Sequence, residues 1–338
     1  MRIGFNPNKD KVLLKSDFFH QVIVPVYIPH QEDYFKDSFQ ILKYCLTSLF
    51  KTSHSKTYFT IVNNGSTKIV VDYLNNLFDE GKIQEVIHTS SIGKLNAVLK
   101  GITGQQFQLI TITDADVLFL NNWQNATYEV FEGFPKTGVV CPIPNSKMLR
   151  YYTSNILWDN LFSNKIKFTH VQDRNSMKKF AESIRNTDLY KMVHLDKNLT
   201  ISNKSLKALV GAGHVVATYN SICFNSLKEL YSKYSLGGNS EQLLLDKPAV
   251  DYGYWRLSTE KNYAFHMGNV METWMKDKLM KIEIEDNPSA EINLKCKSKN
   301  GFICWLKISI FSRIIFRKPI WRLYLRYKGL TANEAKIY

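Results

Sequence analysis

The chain has 338 residues, 44% hydrophobic and 13% aromatic, with a net charge of +14; this excludes a disordered chain and allows one large core or two modest ones. Its five cysteines, Cys45, Cys141, Cys223, Cys296 and Cys304, form no CxxC pair, which points to a reducing compartment without a structural zinc. The N-terminus lacks the order of a signal peptide, and no run of roughly 20 apolar residues offers a membrane span.

In chain order, the body alternates strands and helices. Residues 21–29, QVIVPVYIP, form an apolar, β-branched run stopped by proline, the pattern of a buried strand. Residues 33–50 set Phe35, Phe39, Leu42, Cys45, Leu46 and Leu49 at helical spacing. Residues 57–66, TYFTIVNNGS, read as a second strand running into a turn. A helix over 67–78, a short strand over 83–88, a helix over 93–102 and a strand over 107–113 follow, and residues 137–144 make one more strand. Such alternation predicts an α/β fold with parallel strands and helices on both faces. Ligands of such sheets bind beyond the carboxyl ends of the strands, where Asn63, Asn64, Asp114 and Asp116 fall.

The last two stand in LITITDADVLFL, residues 109–120. Successive strand residues point to opposite faces, so Asp114 and Asp116 share a side if strand geometry persists that far. Neighbouring carboxylates repel, and desolvation raises the pKa of at least one. A divalent cation such as magnesium or manganese, or a polyhydroxyl ligand, relieves that cost. A solvated turn or helix N-cap carrying two acids is the plainer account.

The ordered set VIVPVY, IVNNGST, GKLNAVLKG, TDADVLF, AGHVVATY, NSEQLLLDKP, YWRLST and HMGN, over roughly residues 21–269, resembles the family 2 glycosyltransferases, inverting nucleotide-sugar enzymes of the GT-A fold. The resemblance implies a GT-A, Rossmann-like, mainly parallel sheet flanked by helices. It implies a catalytic domain over 1–275, with a nucleotide-sugar half at 21–145 and an acceptor half at 146–275. Pro25, Val26, Tyr27 and Asn63 would hold the nucleotide base of a donor expected to be a UDP-sugar; Asn63 stands where many members have Asp, which leaves the base open. Lys94 and Asn96 would lie beside the donor, at a helix start whose free N–H groups suit a pyrophosphate. Asp116 would ligate the divalent metal, Mn2+ or Mg2+, His266 would be a further metal or diphosphate contact, and Asp114 would meet ribose or sugar. Inversion needs a base for the acceptor hydroxyl. Members often carry Glu-Asp at a helix head, and here Glu241 is followed by Gln242, so the resemblance points to Glu241 with Asp246 and Asp251 in reserve. Residues 149–206 fall where members insert acceptor-binding elements; Tyr151, Tyr152 and Trp158 suit core packing better than stacking on sugars.

The charge is uneven. Residues 291–338 carry +9 and the other 290 carry +5. GFICWLKISIFSRIIF sets Ser309, Arg313 and Arg317 as a polar stripe on an apolar cylinder, Pro319 breaks it, and Arg322 and Arg326 follow one turn apart. Residues 276–338 are therefore expected to be a basic amphipathic helical tail at an anionic membrane surface; the alternative is a helix pair docked on the catalytic domain or in a homodimer. The combined expectation is a cytoplasmic enzyme peripheral to the inner face of the cell membrane. It would pass a sugar from its nucleotide to a saccharide or lipid-linked saccharide acceptor in surface-polysaccharide assembly. The alternatives are a nucleotidyltransferase, which would want a glycine-rich loop after the first strand, and a non-catalytic scaffold for polyanions or membranes. No recognised nucleic-acid motif accompanies the charge.

Overall fold

The computed structural model describes the chain except for residues 1–3, 7, 13–15, 205, 226, 228–229, 286–291, 293 and 295–300. The opening apolar run becomes β1 (His20–Val26), buried along its whole length. It pairs in parallel with β2 (Thr57–Asn64) on one side and β4 (Leu109–Thr113) on the other, and β2 pairs in parallel with β3 (Glu85–Thr89). The crossovers are α1 (Ser38–Thr52), α2 (Lys68–Asp79) and α3 (Lys94–Ile102). Helices cover both faces of such strands, which is why they read as continuous apolar runs and not as alternations. Pro25 is tolerated inside β1 because the ladder to β4 stops at Ile23.

Three expected elements have other limits than the sequence suggests, each for a local reason. The first strand stops at Val26, because the backbone of Ile28 turns to the loop after β2: its N–H donates to Ser66 Oγ and its carbonyl accepts from Thr67. The helix expected from residue 33 begins as a 3-10 turn, Asp33–Phe35, because Asp33 has a positive φ of 45° that no continuous helix accommodates. The strand expected to reach residue 144 stops before Pro142, which has no N–H for a ladder.

The chain continues through β5 (Val117–Phe119), α4 (Trp123–Gly133), β6 (Thr137–Cys141), β7 (Ile166–His170), β8 (Lys197–Asn203), β9 (Leu206–Val210), β10 (Val216–Asn220), β11 (Trp255–Thr259) and β12 (Ala264–His266). Among the described residues, ten strands form one sheet in the order β3-β2-β1-β4-β10-β6-β11-β9-β8-β7, and β5 with β12 forms a separate antiparallel pair. The first core gathers Val22, Val24, Ile41, Leu46, Ile61 and Val98 around the parallel strands. The second lies under the far half of the sheet, around Val130, Leu157, Leu199 and Leu257.

The C-terminal segment is mainly helical from Gly301 on, and one face of it belongs to that second core. Phe311, Ile315, Trp321, Tyr324 and Leu325 are buried there. Lys328 Nζ donates to the carbonyls of Asn160 and Ser163 at 3.2 and 2.9 Å, and Lys197 pairs with Glu334 at 2.6 Å. The opposite face leaves Phe302, Trp305, Leu323 and Tyr327 exposed, together with Arg313, Arg317 and Arg326. Among the described residues no helix is long and apolar enough to cross a membrane.

Candidate active site

At the carboxyl ends of β1 and β4 the sheet opens into a cavity of about 450 Å³. Pro25, Val26 and Tyr27 line it from the end of β1, Asn64 from β2, Lys94 from the head of α3, and Asp114 and Asp116 from beyond β4. A loop carrying Ser235 and Leu236 closes another side. This loop crosses the head of α3 so closely that a side chain at Gly93 would meet Ser235 Cα at 2.9 Å, and Gly93 has a φ of +90°. Only glycine fits there. The contact is sealed by the Lys94 N–H donating to Ser235 O at 3.0 Å.

Pairing of β5 with β12 sets His266 opposite Val117, and so beside Asp116. His266 Nε2 lies 3.2 Å from Asp116 Oδ2, and its Nδ1 meets Ser183 Oγ at 2.7 Å. Burial pushes the His266 pKa down, but the Asp116 carboxylate outweighs it and leaves the ring above its usual value. Asp114 accepts from Lys94 Nζ at 2.6 Å; burial raises its pKa, Lys94 opposes that, and the neighbouring Asp116 adds to it.

Lys94 joins this acidic pair to a second group of charges. The same Nζ lies 2.9 Å from Glu241 Oε1, and Glu241 Oε2 lies 3.2 Å from His214 Nε2. His214 Nδ1 faces Asp246 Oδ2 at 3.7 Å, and Asp246 pairs with Arg256. Asp246 and Arg256 are 1% and 0% exposed. The His214 hydrogen bond, against burial and with Lys94 assisting, holds Glu241 down to about 2. The Asp246 and Glu241 carboxylates beside its two nitrogens raise His214 to about 9, against the cost of burial.

The model of the family described as "Glycosyl transferase family 2" matches residues 22–197, more than half of the chain. The chain belongs to glycosyl transferase family 2, and its fold is GT-A. Solved structures similar to it include residues 1–349 of S. aureus TarS in complex with UDP-GlcNAc, at 13% identity and a TM-score of 0.44, covering 95% of this chain and 79% of that one. The same protein in complex with UDP matches at 13% identity and 0.41, covering 73% and 60%, so the chain spans less than two thirds of that relative. S. aureus TarS without that truncation matches at 12% and 0.43, covering 91% and 48%. Likenesses this remote say nothing of donor or acceptor. No curated protein matches the sequence.

Of the residues that the family 2 resemblance singles out, Pro25, Val26, Tyr27, Lys94, Asp114, Asp116, His266 and Glu241 come together at or beside the cavity. Asp246 stands behind Glu241 with His214 between them. Asp251 pairs with Lys247 at 2.5 Å and is not among the residues lining the cavity. Asn63 is buried with its amide committed: Oδ1 accepts from the Ser66 N–H at 3.0 Å and Nδ2 lies 3.0 Å from His88 Nδ1. Its neighbour Asn64 lines the cavity instead, as the alternation along a strand requires. Asn96 spends its amide on the covering loop, donating to Ser232 O at 2.8 Å and accepting from the Ser232 N–H at 2.7 Å. Trp158, considered for sugar stacking, packs edge-on against Phe311.

Two residues that residue-by-residue reading did not single out, His214 and Arg256, complete the group. Their signals were present, a histidine in GAGH just after one strand and an arginine inside another, but neither names a partner.

The acids suit a divalent cation. Asp116 Oδ1 is buried without a hydrogen-bond partner while Oδ2 faces His266. A bare carboxylate oxygen at a cavity is the kind of donor that magnesium and manganese take, with substrate phosphates completing the shell. Among the described residues no three His, Cys, Asp or Glu side chains are gathered as an all-protein cage.

Proposed function

We propose that the protein is an inverting glycosyltransferase that moves a sugar from a UDP-sugar to a saccharide or lipid-linked saccharide acceptor in surface-polysaccharide assembly. The observation that carries this reading is the Lys94 ammonium, which bridges Asp114 at 2.6 Å and Glu241 at 2.9 Å beside Asp116. It supports placing phosphate-binding groups and a carboxylate base one side chain apart.

Each residue then has a task. Tyr27, 44% exposed at the cavity edge, offers its ring to the base. Lys94 brings a full positive charge to the diphosphate. Asp116, with His266 beside it, would hold the magnesium or manganese ion, which when bound neutralises charge on the leaving diphosphate. Glu241, held to about 2, is ionised throughout the neutral range. It accepts the proton of the acceptor hydroxyl as the new C–O bond forms, while the donor C1–O bond breaks and its electron pair leaves on the diphosphate. Lys94 turning toward the diphosphate removes one of the two cations on Glu241, so donor binding raises the proton affinity of the base just when it is needed.

The test is a calorimetric titration with a panel of nucleoside diphosphates, with and without manganese. UDP should bind in a manganese-dependent way, and Asp116→Asn should abolish that dependence while the fold survives. An Asp116→Asn protein that binds UDP and manganese like wild type removes the metal assignment. Glu241→Gln should keep UDP binding and lose about 10²-fold in turnover; near-wild-type turnover moves the role to another acid.

The exposed face of the C-terminal helices supports a place at the inner face of an anionic membrane. Aromatic and aliphatic tips there stand beside Arg313, Arg317 and Arg326. Each basic residue near an anionic surface contributes about 1 kcal/mol. Full-length protein should float with anionic vesicles at low salt and less at high salt, and replacing the three arginines with glutamine should weaken flotation strongly. No flotation at low salt ends the membrane reading.

A further inference from the structure

The charged group behind Lys94 contains a histidine to which the family pattern gives no role. We propose that His214 is a positioning residue of the reaction: clamped from behind by Asp246 and Arg256, it fixes the Glu241 carboxylate so that Oε1 receives the acceptor's proton. This rests on Glu241 being the base.

The geometry is specific to atoms. Glu241 has two oxygens and both are engaged, Oε2 by His214 Nε2 at 3.2 Å and Oε1 by Lys94 Nζ at 2.9 Å. Lys94 has a second duty at Asp114 and, in the proposed reaction, a third at the diphosphate; His214 has no such competing call. When Lys94 turns away, Oε1 is released and Oε2 stays held. Both ring nitrogens of His214 face carboxylates. Only the imidazolium carries a proton on each, so the charged ring alone presents a proton to Glu241 at 3.2 Å and to the more distant Asp246 at 3.7 Å.

The clamp is built as one piece. Arg256, fully buried in β11, pairs with Asp246 and donates from Nη2 to Ala212 O at 2.6 Å, two residues before His214. One guanidinium thereby fixes both the acid behind the ring and the loop that carries it. Ser258 Oγ adds a bond to Gly211 O at 2.7 Å, and the Gly211 N–H donates to Arg256 O at 2.9 Å. Gly211 has a φ of +108°, and a side chain there would meet Met148 O at 2.6 Å, so the loop has no room to drift. The charges close on themselves, Glu241 and Asp246 against His214 and Arg256, with Lys94 reaching in from α3. Tyr152 and Tyr219 also face Asp246.

The experiment compares full-length wild type with His214→Gln, which donates a hydrogen bond but carries no charge. Three readouts are used: calorimetric UDP binding with manganese, the pH profile of UDP release from UDP-sugars with water as acceptor, and the 15N imidazole spectrum. The variant should bind UDP within about threefold of wild type, release it at least tenfold more slowly, and show the acid limb of its profile moved up by one pH unit or more. In the spectra, wild-type His214 should keep both nitrogens protonated past pH 8, and Glu241→Gln should lower its titration by one pH unit or more. A His214 titration indifferent to Glu241→Gln, or an acid limb indifferent to His214→Gln, overturns the proposal alone. A wild type that binds no nucleoside diphosphate overturns the reading of the whole site, and this proposal with it.

Discussion

At the amino end of β1, His20 Nδ1 and His54 Nε2 share the hydroxyl of Tyr128 at 2.5 and 2.8 Å. At the carboxyl end of the same seven-residue strand, about 20 Å away by strand geometry, His214 and His266 face carboxylates. Both pairs are largely enclosed, yet they titrate in opposite directions. Burial lowers His20 well below its usual value and takes His54 to about 4, with a nearby histidine or lysine adding to the effect. His214 rises to about 9 and His266 rises as well, because acids outweigh the same burial cost. The partners named for the first pair, Tyr128, Thr111, Gln124 and Thr57, are all neutral. One end of the sheet uses histidine as a neutral hydrogen-bonding brace and the other as a cation, and the cations sit where a charged ligand would arrive.

The largest way to break this contrast is Asp246→Asn, which removes an acid from the charged end. Arg256, 0% exposed, then loses the carboxylate it pairs with. Breaking a buried pair by removing one partner costs about 3–5 kcal/mol. Urea unfolding measures it, and a loss under about 1 kcal/mol would show that Arg256 does not depend on Asp246.

A pH series on the same measurement separates the two ends without mutation. His54 titrates lower folded, about 4, than unfolded, 6.5. Between those values the unfolded chain binds the extra proton, so this stability is present above 6.5 and is lost as pH falls through 4, up to about 3 kcal/mol. His214 has the opposite sign. Raised to about 9, its contribution is full below 6.5 and is lost as pH rises through 9. The effect is smaller there, because a third of the ring is open to water. His54→Gln should flatten the acid slope and His214→Gln the alkaline one; a variant that flattens the wrong slope refutes the charge assignment of that end.

The two ends also differ in how far they were legible before folding. The parallel strands around β1 and the pair Asp114 and Asp116 follow from local pattern, because apolar runs and two-residue spacing carry their meaning within a few positions. Lys94 was legible as a helix start. His214, Asp246 and Arg256 were not legible as a unit, because they come from separated segments that meet only in the folded sheet. Asn63 and Asn96 look like ligand contacts in sequence, but an amide serves a turn or a loop equally well, and here it does. The tail shows the same limit. Its apolar surface reads alike for lipid or protein, and Phe311, Ile315 and Trp321 find protein.

The smallest test concerns the neutral end, where the hydrogen bonds fix the proton of each ring. His54 Nδ1 accepts from the Lys56 N–H at 3.1 Å, so the proton of a neutral ring is on Nε2 and is donated to Tyr128 Oη. Tyr128 then has its own proton to give to His20 Nδ1, which also accepts from Gln124 Nε2 at 3.1 Å. His20 therefore carries its proton on Nε2 and donates to Thr111 Oγ1 at 2.7 Å, and Thr111 Oγ1 shares a hydrogen bond with Thr218 Oγ1 at 2.6 Å. Imidazole 15N shifts should show both rings as neutral Nε2–H tautomers at pH 7. Tyr128→Phe removes the shared hydroxyl and leaves His54 Nε2–H without its acceptor, at about 1–3 kcal/mol for an unsatisfied buried donor. UDP binding should be unchanged, because the cavity lies at the far end of β1. A Tyr128→Phe protein that loses UDP binding while keeping its stability would mean that the two ends are coupled, and the contrast drawn between them would fail.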